Sequence, residues 1–185
     1  MCNDNIIADE RKTKERKPKT AAQALQSLMR LAARSEKSSG DAMRLMQRWD
    51  VPVAERQGVL QKLVENRFID DCRYAEAYVR EKSNLSGWGQ RKIAMQLRIK
   101  GISQDIIKEA LMQLDEGNMQ QRLQDKLRRK LKSIKADSRY QLQGKLFRYA
   151  LSQGFDYSQA NEAVLEVLEE YCSGEQDELF ILYLS

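Results

Sequence analysis

Apolar residues recur at helical spacing along most of the chain. Ala24, Leu25, Leu28, Leu31 and Ala32 follow an i, i+3, i+4 pattern, which predicts a helix within 20–35 with Thr20 as its N-cap. Further on, three blocks share one apolar template. Shifting "GQRKIAMQLRIKGISQDIIKEALMQL" (89–114) by 53 brings Ile93 onto Leu146, Gly101 onto Gly154, Ile102 onto Phe155 and Ala110 onto Ala163. Shifting it by 51 the other way brings Leu97 onto Met46, Ile102 onto Val51, Leu111 onto Leu60 and Leu114 onto Leu63. The charged residues between these anchors do not match, so the repeat is one of packing positions.

Each block predicts helix, sharp turn, helix. Gly101 and Gly154 suit the left-handed residue that closes a helix, and Ser103 and Asp156 follow as caps for the next one. In the first block Asp50 and Pro52 replace this pair, and both residue types are compatible with such a turn. A third helix is expected after the first block, in "NRFIDDCRYAEAYVREK" (66–82), and after the second, in "NMQQRLQDKLRRKLKSI" (118–134). After the third block only "EQDELFILYLS" stands in that place. The expected organisation is a disordered basic arm over 1–19, an extra N-terminal helix over 20–35, and three-helix modules over 36–84, 85–135 and 136–185. The fold class is all-α: tandem, helix-turn-helix-like repeats forming an elongated, curved molecule with mainly local contacts.

Composition agrees with this reading, since good helix formers abound and only 2 Pro and 9 Gly interrupt them. No apolar run approaches the roughly 18–20 residues of a membrane span, and the first residues lack the apolar core of a signal peptide. Cys2, Cys72 and Cys172 are odd in number and widely spaced, as expected of reduced thiols in a cytoplasmic protein. Histidine is absent, which excludes Ser–His and Cys–His nucleophiles and the commonest metal ligand. No glycine-rich phosphate loop is present either. No cofactor, metal or small-molecule substrate is expected, and the chain is read as a non-enzymatic monomer.

Charge is unevenly spread. The net charge is +5, with a basic stretch at "RKTKERKPK" (11–19). Residues 118–148 carry ten Lys or Arg against two Asp, whereas 153–185 carry eight acidic residues and no basic one. Such polarity fits a protein that approaches nucleic acid or an acidic partner with one part only; solvated helix faces are the alternative.

Asp70 and Asp71 stand side by side at the start of a predicted helix. Asp70 fits an N-cap, with Ile69 and Tyr74 at the staple positions, and Asp71 in the first turn favours the helix dipole. Phe68, Cys72, Ala75 and Val79 then form the expected inward stripe. Capping needs one carboxylate, however, and leaves the second without a purpose.

"FIDDCRYAEAYVREK" resembles the signature helix of the RecX family, regulators of the RecA recombinase. "LAARSEKSSGDAMRLM" resembles the block before it and "GWGQRKIAMQLRIKGISQDIIKEAL" the block after it, so the likeness covers about 20–170. Ala42 and Met43 depart from the family's habit, and "LFILYL" has no counterpart in it. The resemblance implies a protein that lies in the groove of the RecA–DNA filament and lowers strand exchange, ATP hydrolysis and co-protease activity. On that basis Arg34, Asp70, Asp71, Arg73 and Tyr74 are candidate RecA-filament contacts, with capping and ion pairing inside the module as the structural alternative.

For DNA, bound weakly and without sequence preference, or for an acidic filament surface, the candidates are Arg91, Lys92, Arg98 and Lys100, then Arg122, Lys126, Arg128, Arg129 and Lys130. Arg122, Lys126, Arg129 and Lys130 fall on one side of a helix whose other side carries Leu123, Leu127, Leu131 and Ile134. Trp88 is a candidate for base stacking or, alternatively, for packing beneath the next helix. A stand-alone helix-turn-helix DNA reader is the competing class. It is disfavoured because the second helices open on "SQDIIKEAL" and "DYSQANEAV", with carboxylates that would face phosphates.

Overall fold

The computed structural model describes residues 17–183, with side chains through Tyr171. The described residues form helices only: α1 (Ala21–Ala32), α2 (Ser39–Arg48), α3 (Val53–Glu65), α4 (Asp71–Asn84), α5 (Gln90–Ile99), α6 (Gln104–Leu111), α7 (Glu116–Leu131), α8 (Arg139–Ser152) and α9 (Tyr157–Tyr183). The predicted turns form as read. Gly101 and Gly154 take φ of 82° and 92°, and Asp50 supports the same turn at 54°. Ser103 and Asp156 cap α6 and α9, their side chains accepting from the amides of Ile106 and Gln159. Arg67, at φ 57°, makes a further left-handed turn after α3 that no glycine announced.

Three separate cores follow. The first holds Leu28, Met46, Val51, Leu63 and Ile69; the second Tyr74, Val79, Ile93, Leu97 and Ile107; the third Leu123, Leu127, Leu146, Phe155 and Val164. The helices therefore group as α1–α3, α4–α6 and α7–α9, with the heaviest packing inside each trio. The boundaries expected at 36–84, 85–135 and 136–185 lie one helix too late, and α1 is the first helix of module 1 rather than an extra one. The reason is physical. The sequence repeat fixes the two-helix pairs, but Tyr74, Ala75 and Val79 bury themselves against α5 and α6 rather than against α3. Two further expectations are corrected. Cys72 is exposed and not part of the inward stripe. No separate helix forms over the described part of "EQDELFILYLS", 175–183, because α9 runs unbroken to Tyr183.

Neighbouring modules meet through a repeated joint. The N-terminus of one module's second helix rests on the turn that closes the second helix of the next. At the first joint Ser38 Oγ donates to the Lys100 carbonyl at 2.7 Å, and a methyl group at Gly40 would overlap that same carbonyl. At the second joint Gly89 N donates to the Gln153 carbonyl at 2.8 Å and Arg91 N to the Gly154 carbonyl at 3.0 Å. There a methyl group on Gly89 would overlap the Gly154 backbone, and one on Gly154 the Lys92 backbone. Lys100 and Gln153 are 53 residues apart, so the accepting carbonyls are repeat equivalents. Among the described residues no module precedes the third equivalent, Trp49. Its carbonyl accepts from Lys19 N at 2.9 Å, while Lys19 Nζ lies 3.7 Å from the centre of its ring. Lys19, inside the stretch 1–19 expected to be a disordered arm, thus docks on module 1; residues 1–16 lie outside the described residues.

An ionic cluster ties the first joint. Lys100 Nζ lies 3.2 Å from the Asp41 carboxylate, and Arg44 bridges Asp41 to the Ile99 carbonyl at 2.7 Å each. Burial alone would raise the Asp41 carboxyl, but the bond from Arg44 and the charge of Lys100 outweigh it and hold it below the usual range. Its contribution to stability is complete above its ordinary value of 3.8 and fades as pH falls through the lower folded value. At neutral pH the joint is fully tied.

Candidate functional site

The paired carboxylates have different partners. Asp70 is the N-cap of α4, its Oδ1 accepting from Arg73 N at 3.0 Å. Asp71 reaches across the first joint, where its Oδ1 accepts from Ser39 N at 2.8 Å, at the first turn of α2. One aspartate caps its own helix and the other caps a helix of the preceding module, where the α2 dipole also favours its charge. Arg73 forks onto Glu36 through Nε at 2.8 Å and a terminal nitrogen at 3.1 Å, a second tie across the same joint. Both partners are exposed, so the pair orients more than it stabilises.

Tyr74, named above as a candidate filament contact, is largely covered by its own module. It is 9% exposed, belongs to the second core and stacks on Tyr78 at 6.0 Å between ring centres. Burial, and after it the charge of Asp41, pushes its hydroxyl up to about 12. Arg34 is exposed just past the end of α1. The Cys72 thiol is raised, first by burial and then by Asp70, Glu109, Glu76 and Asp71, which disfavours the nucleophilic thiolate. Among the described residues no cluster of three or more His, Cys, Asp or Glu could hold a metal.

The expected basic surface is divided by the fold. Much of it is engaged internally: Lys100 binds Asp41, Arg98 donates to Gln104, Arg122 donates to the Ser83 carbonyl and to Asn84, and Arg128 pairs with Glu170 and Asp125. Arg91 is exposed, with its backbone N–H spent on the second joint. A cationic group remains around that joint. Lys92 Nζ sits 4.6 Å above the Trp88 ring, with Lys82 Nζ at 5.5 Å, so Trp88 packs on the second core between two ammonium groups. Lys126 donates to Gln153 at 2.7 Å, and its ammonium is pushed down by burial, then by Lys92 and Arg129. Arg129 and Lys130 are exposed beside it, in a shallow cleft shared with Leu85 and Tyr149. Like charges gathered this closely favour an anion.

A second feature goes beyond what sequence reasoning found. On α8, Tyr140 and Phe147 stand to either side of Gly144, and Tyr157 meets Phe147 edge-on with ring centres 5.0 Å apart. Together they line a cleft of about 600 Å³, with Tyr140 86% and Tyr157 68% exposed. The available signal was that Tyr140 and Tyr157 fall off the apolar stripe of Leu142, Leu146 and Ala150.

Fold and surface thus define a class: a tandem three-helix repeat protein whose first two modules are clasped at their joint by Asp71 and the Arg73–Glu36 pair, with a cationic group at the second joint. Comparison with known proteins specifies it. Residues 70–111 match the second three-helix domain of RecX and residues 118–164 the third, in agreement with the observed trios. The regulatory protein RecX of Mycobacterium sp. (strain KMS) is 31% identical over 152 residues, covering 80% of each chain. That of Clostridium botulinum (strain Eklund 17B / Type B) is 34% identical over 108 residues, 57% of this chain but half of that one. Among solved structures, RecX from Lactobacillus salivarius aligns with a TM-score of 0.67 at 23% identity, over 80% of this chain and 96% of its own. The chain belongs to the RecX family of regulatory proteins.

Proposed function

We propose that this chain binds the RecA filament on DNA and restrains its recombinase, ATPase and co-protease activities. The observation that carries the reading is the repeated joint. Modules set on one another through contacts to equivalent backbone carbonyls, those of Lys100 and Gln153, present equivalent faces at regular intervals, which suits a polymer of identical protomers. Contacts to successive protomers then reinforce one another through linkage. The filament-facing residues are Arg34, Asp70 and the exposed side of Arg73, with Asp71 holding the angle between modules 1 and 2. DNA is contacted weakly and without sequence preference through Arg91, Lys92, Arg129 and Lys130. Sequence reading in the manner of helix-turn-helix proteins is disfavoured, because Asp105 lies in the first turn of α6 and Asp156 caps α9, where phosphates would be met.

Titration into RecA on single-stranded DNA tests the reading. DNA-dependent ATP hydrolysis should fall at amounts well below one chain per RecA protomer, because one obstructed filament end affects many protomers. No inhibition even at excess protein would overturn it. The DNA contact has its own check. Arg129→Gln with Lys130→Gln should weaken binding to RecA-free duplex DNA and lower the slope of log affinity against log salt by up to about 1.8, or about 0.9 for each phosphate left without its cation. Gln is also a good helix former, so α7 should persist. An unchanged slope would mean that this face meets protein.

A further inference from the structure

The cleft on module 3 plays no part in the joints, and of its lining residues Phe147 also packs against the third core. Aligned on their closing turns, α8 begins about one turn earlier than α2 and α5, with 14 residues against 10 in each of the others. The added turn carries Tyr140 and projects at the end of α8 that corresponds to the ends of α2 and α5 at the two joints. Gly144 is the repeat equivalent of Arg91, and a Cβ on it would meet no other atom within 4 Å. The floor between Tyr140 and Phe147 is therefore open. Aromatic faces line the walls, Gln143 and Asn161 supply amides, and Arg148 is exposed at the rim. Among the described residues no carboxylate lines the cleft.

We propose that this cleft receives an unpaired nucleotide of a single strand, its base stacked on Tyr140 or Tyr157 over Gly144 and its phosphate near Arg148. Flat aromatic walls match a base face, which every base has, and duplex DNA hides those faces. Amides pair with base edges without demanding one sequence. The cationic rim repels a basic peptide and attracts a phosphate. The inference rests on the filament reading only for where the chain meets such a strand; the contact itself needs no RecA.

The test uses the full chain and four DNA probes: a mixed-sequence single strand of about 12 nucleotides, its duplex, the same strand with abasic sugars, and a mononucleotide. The single strand should bind at least about tenfold tighter than the abasic strand, which keeps every phosphate but offers no base to stack. Tyr140→Ala should weaken single-strand binding by about 5- to 30-fold with the salt slope unchanged, and Tyr140→Phe should restore it. Gly144→Leu should abolish the stacking gain by filling the floor while raising the melting temperature, because leucine is the better helix former. That variant separates loss of the site from loss of the fold. Equal binding of the abasic strand, or unchanged affinity in Tyr140→Ala and Gly144→Leu, would overturn the proposal. A mononucleotide bound as tightly as the strand would overturn the strand as the source and assign the cleft to free nucleotides. RecA inhibition that survives in Gly144→Leu would leave the filament reading standing while the cleft was judged on its own.

Discussion

Gly154→Ala should lower stability by about 3 kcal/mol or more, the sum of two costs that act together. A residue with a Cβ held at φ 92° carries backbone strain of roughly 1–3 kcal/mol. The added methyl group also overlaps the Lys92 backbone, and since that neighbour is main chain inside α5, the second joint must open to admit it. Forced overpacking of this kind costs typically about 1–3 kcal/mol. Gly58→Ala is the control. Gly58 lies inside α3 with open space around it, so alanine there should stabilise by roughly 0.5–1 kcal/mol. Denaturant unfolding of the two variants beside the parent chain measures the contrast. A destabilisation below about 1 kcal/mol in Gly154→Ala would mean that the joint is plastic, and the fixed spacing of modules would then lose its support.

The second large effect concerns function. Asp71→Ala should remove most RecA inhibition, tenfold or more, while costing only about 1 kcal/mol of stability, the usual value of a helix cap. Asp71 touches no core; its carboxylate holds Ser39 N across the first joint. Without it, the joint keeps the bonds of Ser38 and Arg44 to the Lys100 and Ile99 carbonyls and the partly exposed pairs Arg73–Glu36 and Lys100–Asp41, but loses the carboxylate that fixes the α2 N-terminus to α4. The angle between modules 1 and 2 should then vary, and an array that must match successive protomers no longer engages them together. Asp70→Ala should cost similar stability, because it uncaps α4, yet leave the joint intact, so its loss of inhibition should be the smaller one, that of a single filament contact. Inhibition measured beside thermal melts distinguishes the two. An equal drop in inhibition from both variants would point to direct contact by the aspartate pair, and full inhibition by Asp71→Ala would separate the joint from function.

Much of this molecule is dictated locally. Helical periodicity at Leu28, Leu97, Leu123 and Leu146, the turn glycines at 101 and 154, and the caps at Thr20, Ser103 and Asp156 follow from short-range rules that need no knowledge of neighbours, and the structure has them where those rules put them. The three-block repeat is legible for the same reason, since packing positions persist where surface charges drift. What chain order leaves open is partnership between helices. An amphipathic helix such as α4 shows that it has an apolar face but not which neighbour covers it, so the module frame was decided only when Tyr74 and Val79 packed on α5 and α6. The second aspartate is of the same kind: Asp70 caps a residue three positions away, whereas Asp71 meets Ser39, 32 positions away, and only folding brings them together. The basic stripe is uniform along α7 in sequence, yet burial and bonds to Ser83 of module 2 and to Gln153 and Glu170 of module 3 take up Arg122, Lys126 and Arg128 and leave Arg129 and Lys130 exposed. Sequence by itself determined the helices, their turns and their number of repeats, because those depend on residues within a few positions of one another. Tertiary structure alone decided the joints, the division of the charged residues and the aromatic cleft, because each depends on distances that chain order does not contain.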